Sequence, residues 1–356
     1  MTTLALQAAD LGGWTHDISP VLIDLGGLSI RWYGLSYLAG FAAAYLLLRF
    51  LAGRGATVIP RDRAMDAILT LVMGVVVGGR LGYVLLYDPA LLGLIDGFPY
   101  WGVLAVNRGG MASHGGIVGV IIAAWWLSRG MKTESGERVG RCPPAHAMDI
   151  CAMIAPAGLF FGRLANFVNG ELLGKVAALP GERAPWWAVR YPQEWISDQP
   201  LVQSLEQRAA IEALTSPYLR GEDTWIDGYE RMLRAIQHGD TVARDALAPY
   251  LSARHPTQLY QAAVEGLLVG LVVWLVGMKR RRPGVIGAWF LITYAVGRVM
   301  MDFVRLPDPG ISQFGGLTRG QVYSLVMLIA GLVVLVWASR SRAERMSGGW
   351  LRRPVA

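Results

Sequence analysis

Apolar residues along this chain neither alternate nor recur in narrow stripes; they run. Seven stretches, 29–50, 65–87, 112–129, 146–168, 257–278, 284–304 and 318–339, are each dominated by aliphatic, aromatic and small side chains. About 20 such residues in helical geometry cross the roughly 30 Å hydrocarbon core of a bilayer. The pattern therefore predicts an all-α, polytopic membrane bundle of seven transmembrane helices. The third stretch is short and opens in a glycine-rich run, so a re-entrant or unwound start, buried in protein, is expected there. Residues 175–254 break the pattern. They are mixed in charge and hold Trp186, Trp187, Trp195 and Trp225, the residue type enriched at the lipid–water interface. Within them 201–214 (LVQSLEQRAAIEAL) has helical spacing of apolar residues. Residues 1–356 thus read as one membrane-embedded domain with a small external cap inserted at 175–254.

Charge then sets direction. The chain is 53% hydrophobic and only 17% charged, low for a soluble protein of 356 residues. Seventeen of its 33 Lys and Arg residues lie on one side of the predicted bundle, after stretches one, three, five and seven. The other side has none before the first stretch and, in the loop after the second, only Arg108. The positive-inside rule puts the N-terminus outside and the C-terminus in the cytoplasm, as expected for a multi-pass protein of a bacterial inner membrane. These basic loops account for the net charge of +7 without a nucleic-acid partner, and no nucleic-acid motif is present. Residues 1–27 lack Lys and Arg, so the basic n-region of a signal peptide is missing. Two cysteines, Cys142 and Cys151, make neither a disulfide framework nor a metal spacing. No cofactor site is evident.

Against this apolar background, Gly79-Arg80, Gly162-Arg163 and Gly297-Arg298 stand out. An arginine inside a span costs roughly 2.5–3.5 kcal/mol even on the lenient insertion scale, so it faces protein or a wet cavity. All three fall on stretches that run outward, toward their outer ends, which predicts a buried anion site in the outer half of the bilayer. GGRLGYVLLYD places Arg80, Tyr83 and Tyr87 on one face, equally readable as a snorkelling arginine with an interfacial tyrosine belt. GRLANFVNGELLG aligns Arg163 and Asn166, followed by Asn169, Glu171 and Gly174; the plainer reading is an interhelical polar network. GGMASHGGIVG surrounds His114 with glycines that leave room beside the imidazole. HPTQLYQAAVEG opens the fifth stretch, with His255 or Thr257 as a cap and Gln258 and Glu265 on the helix, either as packing or as site. GRVMMDFVRLPD sets Arg298, Asp302 and Arg305 on one face, where Asp302 pairs with either arginine. RWYGLSYLAG puts Arg31 and Tyr33 at the outer edge of the first stretch, an interfacial anchor at its simplest.

With these motifs in this order, the chain resembles the bacterial prolipoprotein diacylglyceryl transferases over roughly residues 20–340, apart from much of 175–254. GRLANFVNGELLG is the most diagnostic. The resemblance implies a seven-span inner-membrane enzyme. Such an enzyme moves the diacylglyceryl group of phosphatidylglycerol to the lipobox cysteine of a prolipoprotein, forming a thioether and releasing glycerol phosphate. It carries functional roles onto Tyr33, His114, Arg163, Asn166, Glu171, Gly174, Arg298 and Asp302. The family more often has Glu where this chain has Asp302, and often His where it has Arg31.

That chemistry suits the residues. The substrate thiol is the nucleophile, so the protein needs none of its own, and no serine or cysteine nucleophile motif is present. A base helps a thiol of pKa near 8.5 to ionise, and His114 is the candidate. The departing phosphate gains charge, which arginine meets with paired hydrogen bonds; Arg163 and Arg298 are assigned that role. Arg80, Tyr33, Tyr83, Asn166, Asn169, Glu171, Gly174, Asp302 and Arg305 are expected to bind or orient substrate. The expected partners are phosphatidylglycerol, a prolipoprotein lipobox segment and membrane lipids. An anion transporter would also need intramembrane arginines, yet it predicts inverted repeats, and none is seen. A non-catalytic lipid-binding protein would need the arginines but not His114.

Overall fold

A computed structural model describes residues 11–26, 29–106, 109–197, 204–306 and 318–351. Arg108 and residues 201–203 lie outside these, as do Pro307 and Asp308 of the last motif. The fold is mostly helical. Its helices are α1 (Trp32–Gly53), α2 (Ala64–Leu86), α3 (Ser113–Ser128), α4 (Pro144–Asn169), α5 (Leu205–Thr215), α6 (Trp225–Gln237), α7 (Thr241–Leu247), α8 (Thr257–Val276), α9 (Val285–Asp302) and α10 (Arg319–Arg340).

Among the described residues, six helices are long and apolar enough to cross a membrane: α1, α2, α4, α8, α9 and α10. The third apolar stretch becomes α3, apolar but only 16 residues long. At 1.5 Å per residue that is about 24 Å, less than a full hydrocarbon core. The glycines ahead of it stay out of the helix, Gly109 and Gly110 taking φ of 82° and 83°. The fifth stretch is not uniform either. Inside α8, residues Ala262–Leu268 form a π-helical segment.

The chain divides into two compact units. The first comprises Met1–Leu38, Leu159–Leu267 and Tyr294–Val326. It holds what the all-α expectation did not contain: a small sheet of four short strands, β1 (Trp14–Thr15), β2 (Val176–Ala178), β3 (Val189–Arg190) and β4 (Ala253–Arg254), in the order β1-β3-β4-β2. β3 runs parallel to β1 and antiparallel to β4, and β2 is antiparallel to β4. Residues 205–251 fold on their own apolar cluster of Trp195, Ile211, Tyr229, Met232, Ile236, Leu247 and Leu251. The predicted helix at 201–214 is α5, started by a reciprocal Ser204–Gln207 capping box.

The second unit comprises Ala39–Gly158, Leu268–Thr293 and Met327–Ala356. Its tightest packing is α2 on α3. Gly74, Gly78 and Gly82 recur every four residues and meet Gly115 and Gly119 across the interface. A Cβ on Gly82 would come within 2.6 Å of the Gly115 Cα, and one on Gly74 within 2.6 Å of the Gly119 carbonyl oxygen. Small residues at that spacing let two helix backbones touch, which is how apolar helices associate where water supplies no driving force.

Candidate functional site

In the first unit the polar positions of α4 and α9 meet those of α8. Arg163 and Asn166 lie three residues apart in the last two turns of α4 and so share a face. Arg163 donates from Nε and Nη2 to one oxygen of Glu265, at 2.9 and 2.8 Å. Glu265 is fully buried within the π-helical segment, where Gln261 donates to its other oxygen at 3.2 Å. The Tyr294 hydroxyl donates to the same Glu265 oxygen at 3.4 Å. Arg298, one turn further along α9, is within electrostatic reach of Tyr294. It pairs with Asp302 at 2.8 Å, and the Thr318 hydroxyl donates to the second Asp302 oxygen at 3.2 Å. Of the two pairings open to Asp302, the structure has the one with Arg298. The shorter carboxylate reaches its partner because both sit on one helix at i and i+4.

Beside this pair of arginines lies the end of α4. Asn166 donates to Glu171 at 2.8 Å and Asn169 to the same oxygen at 3.3 Å. The chain then turns tightly through Gly170 (φ 66°) and Leu172 (φ 57°). Leu172, a branched residue in the left-handed region, is held there by its surroundings. Gly174 passes against the His255 carbonyl, where a side chain has no room. Arg305 pairs through its backbone with Gly174. Gly162 has open space where a side chain would go.

Arg80, Tyr83 and His114 belong to the second unit. Arg80 is buried and donates to four backbone carbonyls: Val103 at 2.8 Å, Gly102 at 2.5 Å, Gly109 at 2.6 Å and Gly110 at 2.9 Å. Its guanidinium organises the loop between α2 and α3, and neither headgroup snorkelling nor an open anion fork describes it. Tyr83 covers the guanidinium at 5.9 Å and stacks on Tyr87 at 5.8 Å. His114 stands exposed in the first turn of α3.

Tyr294 carried no signal in the sequence, since a tyrosine in an apolar helix is ordinary. The start of α8 differs from expectation: neither His255 nor Thr257 caps it, and the Thr257 hydroxyl goes to the Leu172 carbonyl at 3.0 Å. His16, an unremarkable residue in the sequence, is fully buried; one ring nitrogen meets the Phe167 carbonyl at 2.8 Å and the other Gln193 at 3.2 Å. Burial lowers its pKa to about 4. Burial also pushes the Cys142 thiol up to about 11, the reverse of what a nucleophile needs. Among the described residues no group of three or more His, Cys, Asp and Glu is placed to hold a metal ion.

Six long apolar helices, with arginine–carboxylate pairs near the ends of two of them, define a multi-pass membrane protein. A family model described as prolipoprotein diacylglyceryl transferase matches residues 20–337. The chain is 38% identical over 359 residues to the phosphatidylglycerol–prolipoprotein diacylglyceryl transferase of Bdellovibrio bacteriovorus, covering 95% of this chain and 97% of that protein. It is 36% identical over 338 residues to the protein of the same name from Xylella fastidiosa strain M12, covering 92% and 94%. With the one from Solidesulfovibrio magneticus it shares 36% over 319 residues, covering 89% and 93%. The chain belongs to the prolipoprotein diacylglyceryl transferase family.

Proposed function

We propose that this protein is the transferase that moves the diacylglyceryl group of phosphatidylglycerol onto the lipobox cysteine of prolipoproteins. The observation that carries the reading is the cluster of Arg163, Glu265 and Tyr294 with Arg298 beside it, in a chain that matches the family from residue 20 to 337. The thiolate attacks the glycerol carbon that bears the phosphate. The C–S bond forms as the C–O bond breaks, and glycerol phosphate leaves with the bonding electrons. Charge builds on the departing phosphate, and Arg163 and Arg298 are set to meet it. Glu265 and Asp302 fix the planes of the two guanidinium groups, so little reorganisation accompanies the reaction. His114 takes the thiol proton. Asn166, Asn169, Glu171 and Tyr33 orient the headgroup, with Gly174 and Arg305 shaping the turn behind them; Arg80 and Tyr83 support the loop that leads to His114.

In this reading α3 is a seventh, short crossing, the N-terminus faces the periplasm and the C-terminus the cytoplasm of a bacterial inner membrane. The arginine-rich loops support that orientation. Residues 175–254 then lie on the periplasmic side, where an exported substrate arrives, and membrane lipids surround the helices. The test is to incubate the pure protein with labelled phosphatidylglycerol and a lipobox peptide. Labelled peptide, absent when serine replaces the peptide cysteine, is expected; label that stays in the lipid overturns the reading.

A further inference from the structure

We propose that the turn Tyr191–Glu194, contributed by the extramembrane segment, is the element that positions the Gly170–Gly174 loop for the reaction. The inference rests on the function proposed above, in which Glu171 of that loop orients the headgroup. Four consecutive carbonyls of the loop are engaged from behind. The Glu171 carbonyl accepts from Gln258 Nε2 at 2.5 Å, and the Leu172 carbonyl from the Thr257 hydroxyl at 3.0 Å. The Leu173 carbonyl accepts from the Leu306 amide at 3.4 Å, and the Gly174 carbonyl from Arg254 Nη1 at 3.1 Å.

Two of these contacts are set by the Tyr191–Glu194 turn. The Tyr191 hydroxyl donates to Gln258 Oε1 at 3.1 Å, which orients that amide with its NH₂ toward Glu171. Glu194 accepts from Arg254 Nε at 2.7 Å and from the Ser252 amide at 2.8 Å, which aims the guanidinium at Gly174. The third residue of the turn acts directly: a Cβ on Gly170 would lie 2.5 Å from Gln193 Cδ, so the amide packs on the bare backbone of that turn. All of Tyr191, Glu194, Arg254 and Gln258 are at most 2% exposed, so water does not compete for these bonds.

The turn is itself bolted to the extramembrane helices. The buried Tyr229 of α6 donates to the Pro192 carbonyl at 2.7 Å, and Trp195 joins the apolar cluster of α5–α7. The extramembrane segment thereby acts on the site without contributing a group that touches substrate. Tyr191 and Glu194 are positioning residues, and a backbone held at φ 66° and 57° is the kind of conformation that needs them.

A double-mutant cycle on the full chain tests this, with turnover of phosphatidylglycerol and a lipobox peptide resolved into kcat and KM. Tyr191→Phe keeps the ring and removes only the hydroxyl. We expect kcat to fall about tenfold with KM for the lipid changed less than twofold and the thermal midpoint nearly unmoved. In a Glu171→Gln background the same substitution is expected to cost less than twofold, because the group it positions is gone. Glu194→Gln, which keeps shape and removes charge, is expected to lower kcat as Tyr191→Phe does and also to lower the thermal midpoint, because Arg254 is left uncompensated in a buried pair. Loss of the same factor in both backgrounds, or normal kcat for Tyr191→Phe beside a crippled Glu171→Gln, overturns the proposal alone. Full activity of Glu171→Gln overturns the reading of the loop on which it rests.

Discussion

Glu265 is the residue on which the arrangement around Arg163 turns. It takes two hydrogen bonds from the guanidinium, one from Gln261 and one from Tyr294, with no exposure of its own. Breaking a buried ion pair by removing one charge leaves the other uncompensated, at about 3–5 kcal/mol. Glu265→Gln is therefore expected to lower stability in detergent by an amount of that order, read as a drop in thermal midpoint, and to lower transferase activity with it. An unchanged midpoint would mean that Arg163 does not depend on Glu265. His16 gives a pH signature outside the membrane. Its folded pKa of about 4 lies below the ordinary value of 6.5, so the unfolded chain binds the proton first. The stabilisation is complete above pH 6.5 and is lost as pH falls toward 4, by about 3 kcal/mol at most. His16→Gln should flatten the thermal midpoint between pH 6.5 and 4; an equally steep profile in the variant would assign the effect to other groups.

Helices carry those side chains to one place, and their legibility differed for physical reasons. Arg163, Asn166, Arg298 and Asp302 stood out because polar groups inside apolar runs are costly and must have partners. The polar residues of 175–254 had no such contrast around them, so Tyr191, Glu194 and Arg254 gave no signal although they reach the same loop. The π-helical segment at Ala262–Leu268 is too short for its period to be read against an α-helix. Arg80 was legible as a buried charge, but not its partners, because backbone carbonyls of an irregular loop leave no mark in a sequence. The glycine spacing in α2 takes its meaning only from α3 opposite it. Gly74→Val is expected to push α2 off α3 and lower stability by about 1–3 kcal/mol, since the Gly119 carbonyl oxygen is backbone and cannot swing aside. A midpoint equal to that of the unaltered protein would contradict the close contact.

At the scale of the whole molecule, apolar stretch lengths foresaw the six long helices and the short third one, while the sheet of the first unit lay beyond what run lengths encode. The second unit closes with a segment that reads in the sequence as basic tail. Ser347 pairs with Arg281 and meets His146 Nδ1 at 2.8 Å, Gly349 donates to the Gly277 carbonyl at 2.8 Å, and Trp350 Nε1 to the Trp274 carbonyl at 2.9 Å. Gly348→Val, whose Cβ would come within 2.6 Å of the Gly277 carbonyl oxygen, is expected to lift this segment. Maleimide labelling of the buried Cys151, in a Cys142→Ser background, is expected to rise with it. Labelling that stays at the level of the parent would show that the segment does not seal that end of the unit. The functional claim rests on the paired arginines, and one comparison tests it most directly. Arg163→Lys and Arg298→Lys keep the charge and remove the planar fork. Assayed on phosphatidylglycerol and a lipobox peptide, each is predicted to lose about a hundredfold or more in kcat while remaining folded; near-normal turnover in either would contradict its role in meeting the leaving phosphate.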